Sequence, residues 1–189
     1  EYFSPSQNFA NPYKPNTRVL VFTGAMDYWP NVDAVRWFAA ELFPAICTKI
    51  PDLEFYIVGA RPTKTVLELS AIPGVVVTGS VDDVRPYLAF SEIAIAPLRI
   101  ARGIQNKVLE AMAMEKLVVA SPQALEGITA IPGIELFVAD GAEAYIDHVI
   151  SLLENPRMEP GKAARRRVIE DYNWDKNLSR IDRVLHVSS

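Results

Sequence analysis

Lys107 and Glu110 are the residues whose types and spacing most directly suggest chemistry, because of the segment that carries them. That segment, IAIAPLRIARGIQNKVLEAMAMEKLVVASP from Ile93 to Pro122, reads as strand, glycine-containing loop, helix and strand. It sets a helix N-terminus at the carboxyl end of a buried strand, where open α/β sheets bind nucleotides and unpaired N–H groups favour an anion. Gly103 just before the first turn lets backbone approach a ligand closely. Lys107 adds a point charge for a phosphate, and an ionised Glu110, an acceptor only, suits a pair of sugar hydroxyls. The same two residues are also i,i+3 neighbours, and such pairs commonly form a weak surface ion pair and nothing more. Spacing alone leaves both readings open.

The strand rests on IAIAPL, an apolar run too short for a buried helix and ended by Pro97 and polar residues. The helix rests on Val108, Leu109, Met112 and Ala113, which share one face, with Lys107, Glu110 and Met114 on others. Four further strand signals alternate with helical stretches: Arg18–Gly24, Leu53–Gly59, Val75–Gly79 and Leu117–Ala120, with another strand expected at Glu135–Val138. Helices are expected over Asn31–Lys49, Thr63–Ser70, Val84–Phe90 and around AYIDHVISLLEN. The alternation demands right-handed parallel crossovers, so the fold class is α/β: a doubly wound, mostly parallel, Rossmann-like sheet. Gly24, Gly59 and Gly79 end three of the strands, which opens space at the sheet's carboxyl edge, although βα loops use glycine in any case.

Composition sets the bounds. The 189 residues are 50% hydrophobic and 22% charged, an ordinary globular balance with one domain as the prior. A net charge of −4 gives no support for nucleic-acid binding. No apolar run reaches the roughly 18 residues of a membrane span, and EYFSPSQNFANPYKPN lacks the form of a signal peptide, which favours a cytoplasmic location. A single cysteine, Cys47, excludes an internal disulfide and is expected on a helix, part of the buried layer; two histidines make a metal site improbable. There is no GxGxxG after the first strand and no GxxxxGK[ST], so dehydrogenase and P-loop readings lose their fingerprints.

EAMAMEKLVVAS, from Glu110 to Ser121, resembles the EAMAxGxPVVAS signature of GT-B glycosyltransferases, in particular glycosyltransferase family 4. FTGAMDYWPNVDAVRWF, FYIVGARP and GSVDDVRPYLAFSEIAIAPLRIARGIQNKVLE are similar to the same family's donor-binding half, and the strongest parts resemble sugar transferases of exosortase-linked exopolysaccharide clusters. The resemblance implies a retaining transfer from a UDP- or GDP-sugar, with no cofactor and no obligatory metal. EYFSP resembles the run just after the interdomain linker of full-length members, and Pro5, Pro12 and Pro15 mark an extended stretch. Residues 1–17 then read as a linker remnant and 18–189 as the donor domain with the family's C-terminal helices, beginning near Pro156. The N-terminal acceptor domain, where any general base would lie, would be missing, and the fragment alone inactive.

Carried over residue by residue, Glu110 matches the second glutamate of the family's E-x7-E pattern, implied to hold the ribose hydroxyls. Lys107 falls where many members keep a lysine near the diphosphate. Gly103, Ile104 and Gln105 match the loop and helix start whose N–H groups face phosphate or sugar. Arg61 follows the second strand, Ser80 and Val81 the third, where the base lies against backbone; Gly24 matches the first glycine-rich turn. The first glutamate of the pattern falls on Arg102, so the usual carboxylate contact to the donor sugar is absent and a guanidinium suited to phosphate stands there. DYWPN replaces the common basic pair after Gly24, and Arg99, Arg102 and Lys107 are the cations left to compensate. Glu115 and Leu117 stand where the signature has glycine and proline; at a helix C′ position Glu115 would take φ > 0, at roughly 1 kcal/mol.

Other features admit a structural and a functional reading. Tyr28 and Trp29 either pack in their turn or stack on a ligand. Lys162, Arg165, Arg166 and Arg167 form either a solvated helix face or a peripheral contact to anionic lipid. His148 fits an amphipathic helix edge. A nucleotide-sugar 2-epimerase half, or a noncatalytic flavodoxin-like interaction domain, would share the fold; the first ordinarily carries its own catalytic carboxylates and histidine.

Overall fold

A computed structural model of the chain describes residues 2–172. Six strands form one parallel sheet: β1 (Arg18–Thr23), β2 (Leu53–Val58), β3 (Val75–Gly79), β4 (Ile93–Ala96), β5 (Leu117–Ala120) and β6 (Phe137–Val138). Their order is β3-β2-β1-β4-β5-β6, the doubly wound arrangement, with the reversal of direction between β1 and β4. All six expected strands are present. β1 and β4 are buried along almost their whole length, as central parallel strands covered on both faces must be.

The helices, in chain order, are α1 (Trp29–Trp37), α2 (Phe43–Cys47), α3 (Lys64–Leu67), α4 (Arg85–Phe90), α5 (Asn106–Ala113), α6 (Pro122–Leu125), α7 (Gly141–Glu154) and α8 (Glu159–Asp171). The single helix expected over Asn31–Lys49 starts two residues early, at Trp29, and is interrupted by a π-helical stretch, Phe38–Leu42. Pro44 supplies the reason: it has no N–H for the ladder, and the turn before it widens so that the Phe43 N–H bonds to the Phe38 carbonyl, five residues back. Cys47 is half-buried on α2, and burial raises its thiol pKa. Tyr145 of α7 is fully buried, packs edge-on to Phe38 and Trp37, and donates to the Ala96 carbonyl at 3.0 Å, so the helix is keyed to the end of β4. Of the stripe expected on α5, Val108 and Met112 are buried but Leu109 and Ala113 only partly so; Ala111, and Met114 just after the helix, are buried in their place, so the buried face is turned from the one expected.

Residues 2–17 form no helix or strand, yet they are fastened down. Tyr13 is buried, donates to the Tyr87 carbonyl at 2.6 Å and sits edge-on to Tyr56 at 4.6 Å. Arg85 donates to the Tyr2 carbonyl at 3.2 Å and to Gln7 Oε1 at 2.9 Å, its guanidinium 3.7 Å from the Tyr2 ring centre. The Pro-rich run is therefore extended but docked. Of the C-terminal helices expected, α8 is described; the segment from 173 to 189 lies outside the described residues.

Half of the basic run on α8 is engaged rather than solvated. Arg165 donates to the Ala113 carbonyl at the end of α5 and to the Phe3 carbonyl at 3.3 Å, and lies 3.7 Å from Glu115; Arg167 pairs with Glu135 at 3.1 Å and with Asp171 at 3.2 Å. Only Lys162 and Arg166 remain exposed. At about 1 kcal/mol per surface cation, two residues make a weak lipid contact at most. Glu115 has φ +58, as its position after α5 requires. Glu115→Gly is expected to stabilise the fold by about 0.5–1 kcal/mol, the relief of φ strain being partly offset by the lost partner of Arg165. In a chain of this size that is a rise in Tm of about 1–4 °C by calorimetry; an unchanged or lower Tm would show that the ion pair outweighs the strain.

Candidate functional site

The β4–α5 connection delivers Lys107 to the point where the strand order reverses. Gln105 precedes α5 with extended backbone and no side chain caps the helix; its amide instead donates to the carbonyls of Gly103 at 3.0 Å and Arg102 at 3.4 Å, tightening the loop. Lys107 Nζ donates to Asn31 Oδ1 at 2.9 Å and lies 5.2 Å from the centre of the Phe22 ring. Asn31 is buried and donates to the Ala25 carbonyl at 2.9 Å, which locks the β1–α1 loop to the lysine. No carboxylate lies within ion-pair distance of Lys107 among the described residues. Burial therefore lowers its pKa to about 8, with Glu110 opposing the shift from a distance.

Glu110 is half-buried and lines a cleft of about 860 Å³ bounded by the docked N-terminal stretch, α5 and the outer face of α8. Burial raises its pKa, and the Lys107 charge pulls the other way. The i,i+3 ion pair that spacing allowed does not form: the lysine turns to Asn31 and the carboxylate edges the cleft.

The glycine turns explain how Asn31 and Lys107 can meet. A Cβ on Gly24 would stand 2.7 Å from Asn31 Nδ2 and 3.3 Å from Lys107 Cε, so its missing side chain is the room these two residues occupy. A Cβ on Gly59 would stand 1.7 Å from the Gly24 carbonyl oxygen. Gly103 has φ +67 and open space around it; Ile104 beside it is exposed and leans toward Gly127.

Of the residues expected at a site, Gly24 and Lys107 are neighbours and Gly103, Ile104 and Gln105 form the loop that leads into α5, whereas Glu110, one helical turn on, lines the cleft against residues 2–7 and α8, which Lys107 does not line. Arg102 is exposed and forms no ion pair among the described residues. Arg61 has φ +53 and is held by Asp27 at 2.5 Å on the rim. Ser80 and Val81 stand at the end of β3, two strands from β1. Arg99, one of the three compensating cations, is tied to Asp33 through two hydrogen bonds, one of 2.9 Å, and its guanidinium lies 5.6 Å from the Trp37 ring. Sequence reasoning missed Asn31 and Asp33. Both lie in a helical run with nothing to mark them; only the fold of that run against α5 and its loop exposes their roles. Among the described residues no group of three or more His, Cys, Asp or Glu could hold a metal, and no helix is long and apolar enough to cross a membrane.

The strand order and switch-point crevice define a Rossmann-like half-domain of the kind from which GT-B enzymes are built. The chain belongs to the glycosyl transferases group 1, whose family model matches residues 17–155. No curated protein matches it in a sequence search. Among solved structures it is similar to sucrose-phosphate synthase from Thermosynechococcus elongatus (20% identity, 94% of this chain and 47% of that one, TM-score 0.70). It is similar also to Anabaena HepE in complex with UDP and glucose (16%, 90% and 48%, TM-score 0.70). A third likeness is to the C-terminal domain of a group 1 glycosyl transferase, LpcC, from Francisella tularensis (14%, 83% and 87%, TM-score 0.66). The chain spans about half the length of the first two.

Proposed function

We propose that this chain is the donor-binding half of a retaining glycosyltransferase that uses a nucleotide-diphosphate sugar in exopolysaccharide or glycan synthesis. In this reading the diphosphate lies against Lys107 and the first turn of α5, and Glu110 accepts hydrogen bonds from the ribose hydroxyls. One observation carries it: a lysine and a glutamate one helical turn apart leave each other unpaired and partly desolvated, the lysine at the switch point of the sheet and the glutamate at the edge of the cleft beside α5. Keeping a buried ammonium without a carboxylate costs stability, which makes such a group a candidate for a ligand's charge. As the bond from sugar to phosphate breaks, charge grows on the diphosphate, and a fixed ammonium with oriented N–H groups stabilises it most in the transition state. This needs no metal. The family membership favours this reading over the flavodoxin-like and epimerase alternatives.

The test is calorimetric titration of the full-length protein with UDP and with GDP. The UDP in the HepE structure makes UDP the first choice. One nucleotide should bind, and Glu110→Gln, which removes the charge and keeps the shape, should weaken it about ten-fold, the size of a charge-assisted hydrogen bond. Failure of both nucleotides to bind at millimolar concentration, with the fold intact, would defeat the proposal.

A further inference from the structure

The cleft beside α5 holds two polar side chains that have no partner. Asn106, Leu109, Glu110 and Ala113 fall on one face of α5 at helical spacing, and all four line the cleft. Neither the Asn106 amide nor the Glu110 carboxylate makes a hydrogen bond or ion pair among the described residues. They stand one turn apart, so a single molecule can touch both. At about 860 Å³ the space has the size of a small-molecule site.

The lining selects the chemistry of the occupant. An anion would meet the half-buried Glu110 carboxylate, which has no cation of its own. On the α8 wall Arg165, already answered by Glu115 at 3.7 Å, calls for no anion and disfavours a further cation. A wholly apolar molecule would cut the carboxylate off from water and leave it unpaired. A neutral molecule rich in hydroxyl groups meets all three conditions. Its O–H groups donate to Glu110, the Asn106 amide both donates and accepts, and its C–H faces cover Phe3, Leu109, Val168 and Ile169. That is the chemistry of a sugar ring.

Two walls of the cleft also lie outside the stretch shared with the family. The family model matches residues 17–155, whereas the walls facing α5 come from residues 2–7 and from α8 with Tyr172 after it. Both walls are fixed in place. Arg85 donates to the Tyr2 carbonyl and to Gln7, and Arg165 donates to the Phe3 carbonyl and to Ser4 Oγ, each at 3.3 Å. A ligand therefore meets a site that needs little ordering on binding.

We propose that this cleft binds a neutral sugar ring, with Asn106 and Glu110 holding its hydroxyl groups between them. If the ring is the ribose of a nucleotide, the inference deepens the reading above and rests on it, adding Asn106 and the two outer walls. If the ring belongs to a separate saccharide, it stands without that reading.

The test is saturation-transfer NMR on the full-length protein with uridine, guanosine, methyl α-glucopyranoside and inorganic pyrophosphate at millimolar concentration. Wild type is compared with Asn106→Leu, which keeps the volume of this exposed side chain and removes its amide. At least one of the three neutral probes should bind, and Asn106→Leu should weaken it about three- to ten-fold, the loss of a hydrogen bond, with Tm unchanged and pyrophosphate affected less than about two-fold. A nucleoside that behaves so assigns the ring to a nucleotide; the glucoside alone assigns it to a separate saccharide. Wild type that binds none of the neutral probes overturns the proposal. So does equal binding by Asn106→Leu, or a loss shared with pyrophosphate, the signature of a displaced α5. If UDP or GDP binds and Asn106→Leu changes nothing, this inference alone falls; if the glucoside binds and no nucleotide does, the nucleotide-sugar reading falls and this one stands.

Discussion

Lys107→Met is expected to raise the dissociation constant for the nucleoside diphosphate about 10- to 100-fold, the largest functional effect of any single change at the crevice. Methionine keeps the length of the stem and removes the ammonium. Hydrogen bonds to charged groups are worth about 1.5–3 kcal/mol, and every 1.4 kcal/mol is tenfold in affinity. The wild-type affinity should also depend on pH in a defined direction. Burial lowers the Lys107 pKa to about 8, so below that pH the site is already charged, whereas above it binding must first recover a proton. The dissociation constant should be flat from pH 6 to 7.5 and rise steeply above 8, and the rise should be absent in Lys107→Met. A pH-independent wild type would remove Lys107 from the diphosphate.

The same residue has a stability signature of definite sign. The folded pKa of Lys107, about 8, lies below its ordinary value of 10.5, so the unfolded chain holds the proton more tightly between those values. The penalty for burying the charged form is fully present below pH 8 and fades as pH rises toward 10.5. Wild type should therefore gain stability relative to Lys107→Met across that window. Denaturant midpoints of both proteins at pH 7 and pH 10 measure it; a difference that stays constant would mean the ammonium is not desolvated.

Gly59→Ala is expected to cost more than about 4 kcal/mol and to leave little folded protein, beyond the roughly 1–3 kcal/mol of ordinary overpacking. The added Cβ would meet the Gly24 carbonyl oxygen at 1.7 Å and its carbon at 2.7 Å. These are backbone atoms at the ends of neighbouring strands β1 and β2, and neither can move without breaking the Gly24 N–H bond to the Val58 carbonyl at 3.0 Å. Gly79→Ala supplies the contrast: it has φ +71 but nothing within 4 Å of an added Cβ, so it should cost only about 1–2 kcal/mol of backbone strain. Gly24→Ala should behave differently again. Its Cβ meets the side chains of Asn31 and Lys107, which can yield, so nucleotide affinity should fall further than stability does. Circular dichroism and thermal melts order the three; a Gly59→Ala protein as stable as Gly79→Ala would refute the stacked-turn geometry.

The sheet and its position relative to the helices were legible in the sequence because both depend on local pattern. Continuous apolar runs such as RVLVFT and IAIA, bounded by glycine or proline, report burial on two faces, and their alternation with helical stretches allows one handedness of crossover. The φ > 0 position of Glu115 was legible for the same reason, since a helix end is a local event. The π-helical stretch before Pro44 was not, because the missing N–H says that the ladder breaks without saying whether it widens or stops.

What tertiary structure alone decided is which charges stay unpaired. By spacing, Lys107 had Glu110 for a partner and Arg99 was a free cation for phosphate. In the fold Lys107 reaches Asn31, 76 residues away, and Arg99 is tied to Asp33, 66 residues away. Lys162, Arg165, Arg166 and Arg167 read as one basic patch, yet α8 turns Arg165 onto the end of α5 and Arg167 onto Glu135. Tyr28 and Trp29 allowed either turn packing or stacking on a ligand, and both stand exposed. The physical reason is common to all four cases. Helix and strand periodicity are written in residues a few places apart, whereas ion pairing and exposure depend on side chains that meet only after distant elements have packed, and the sequence carries no separate signal for those meetings.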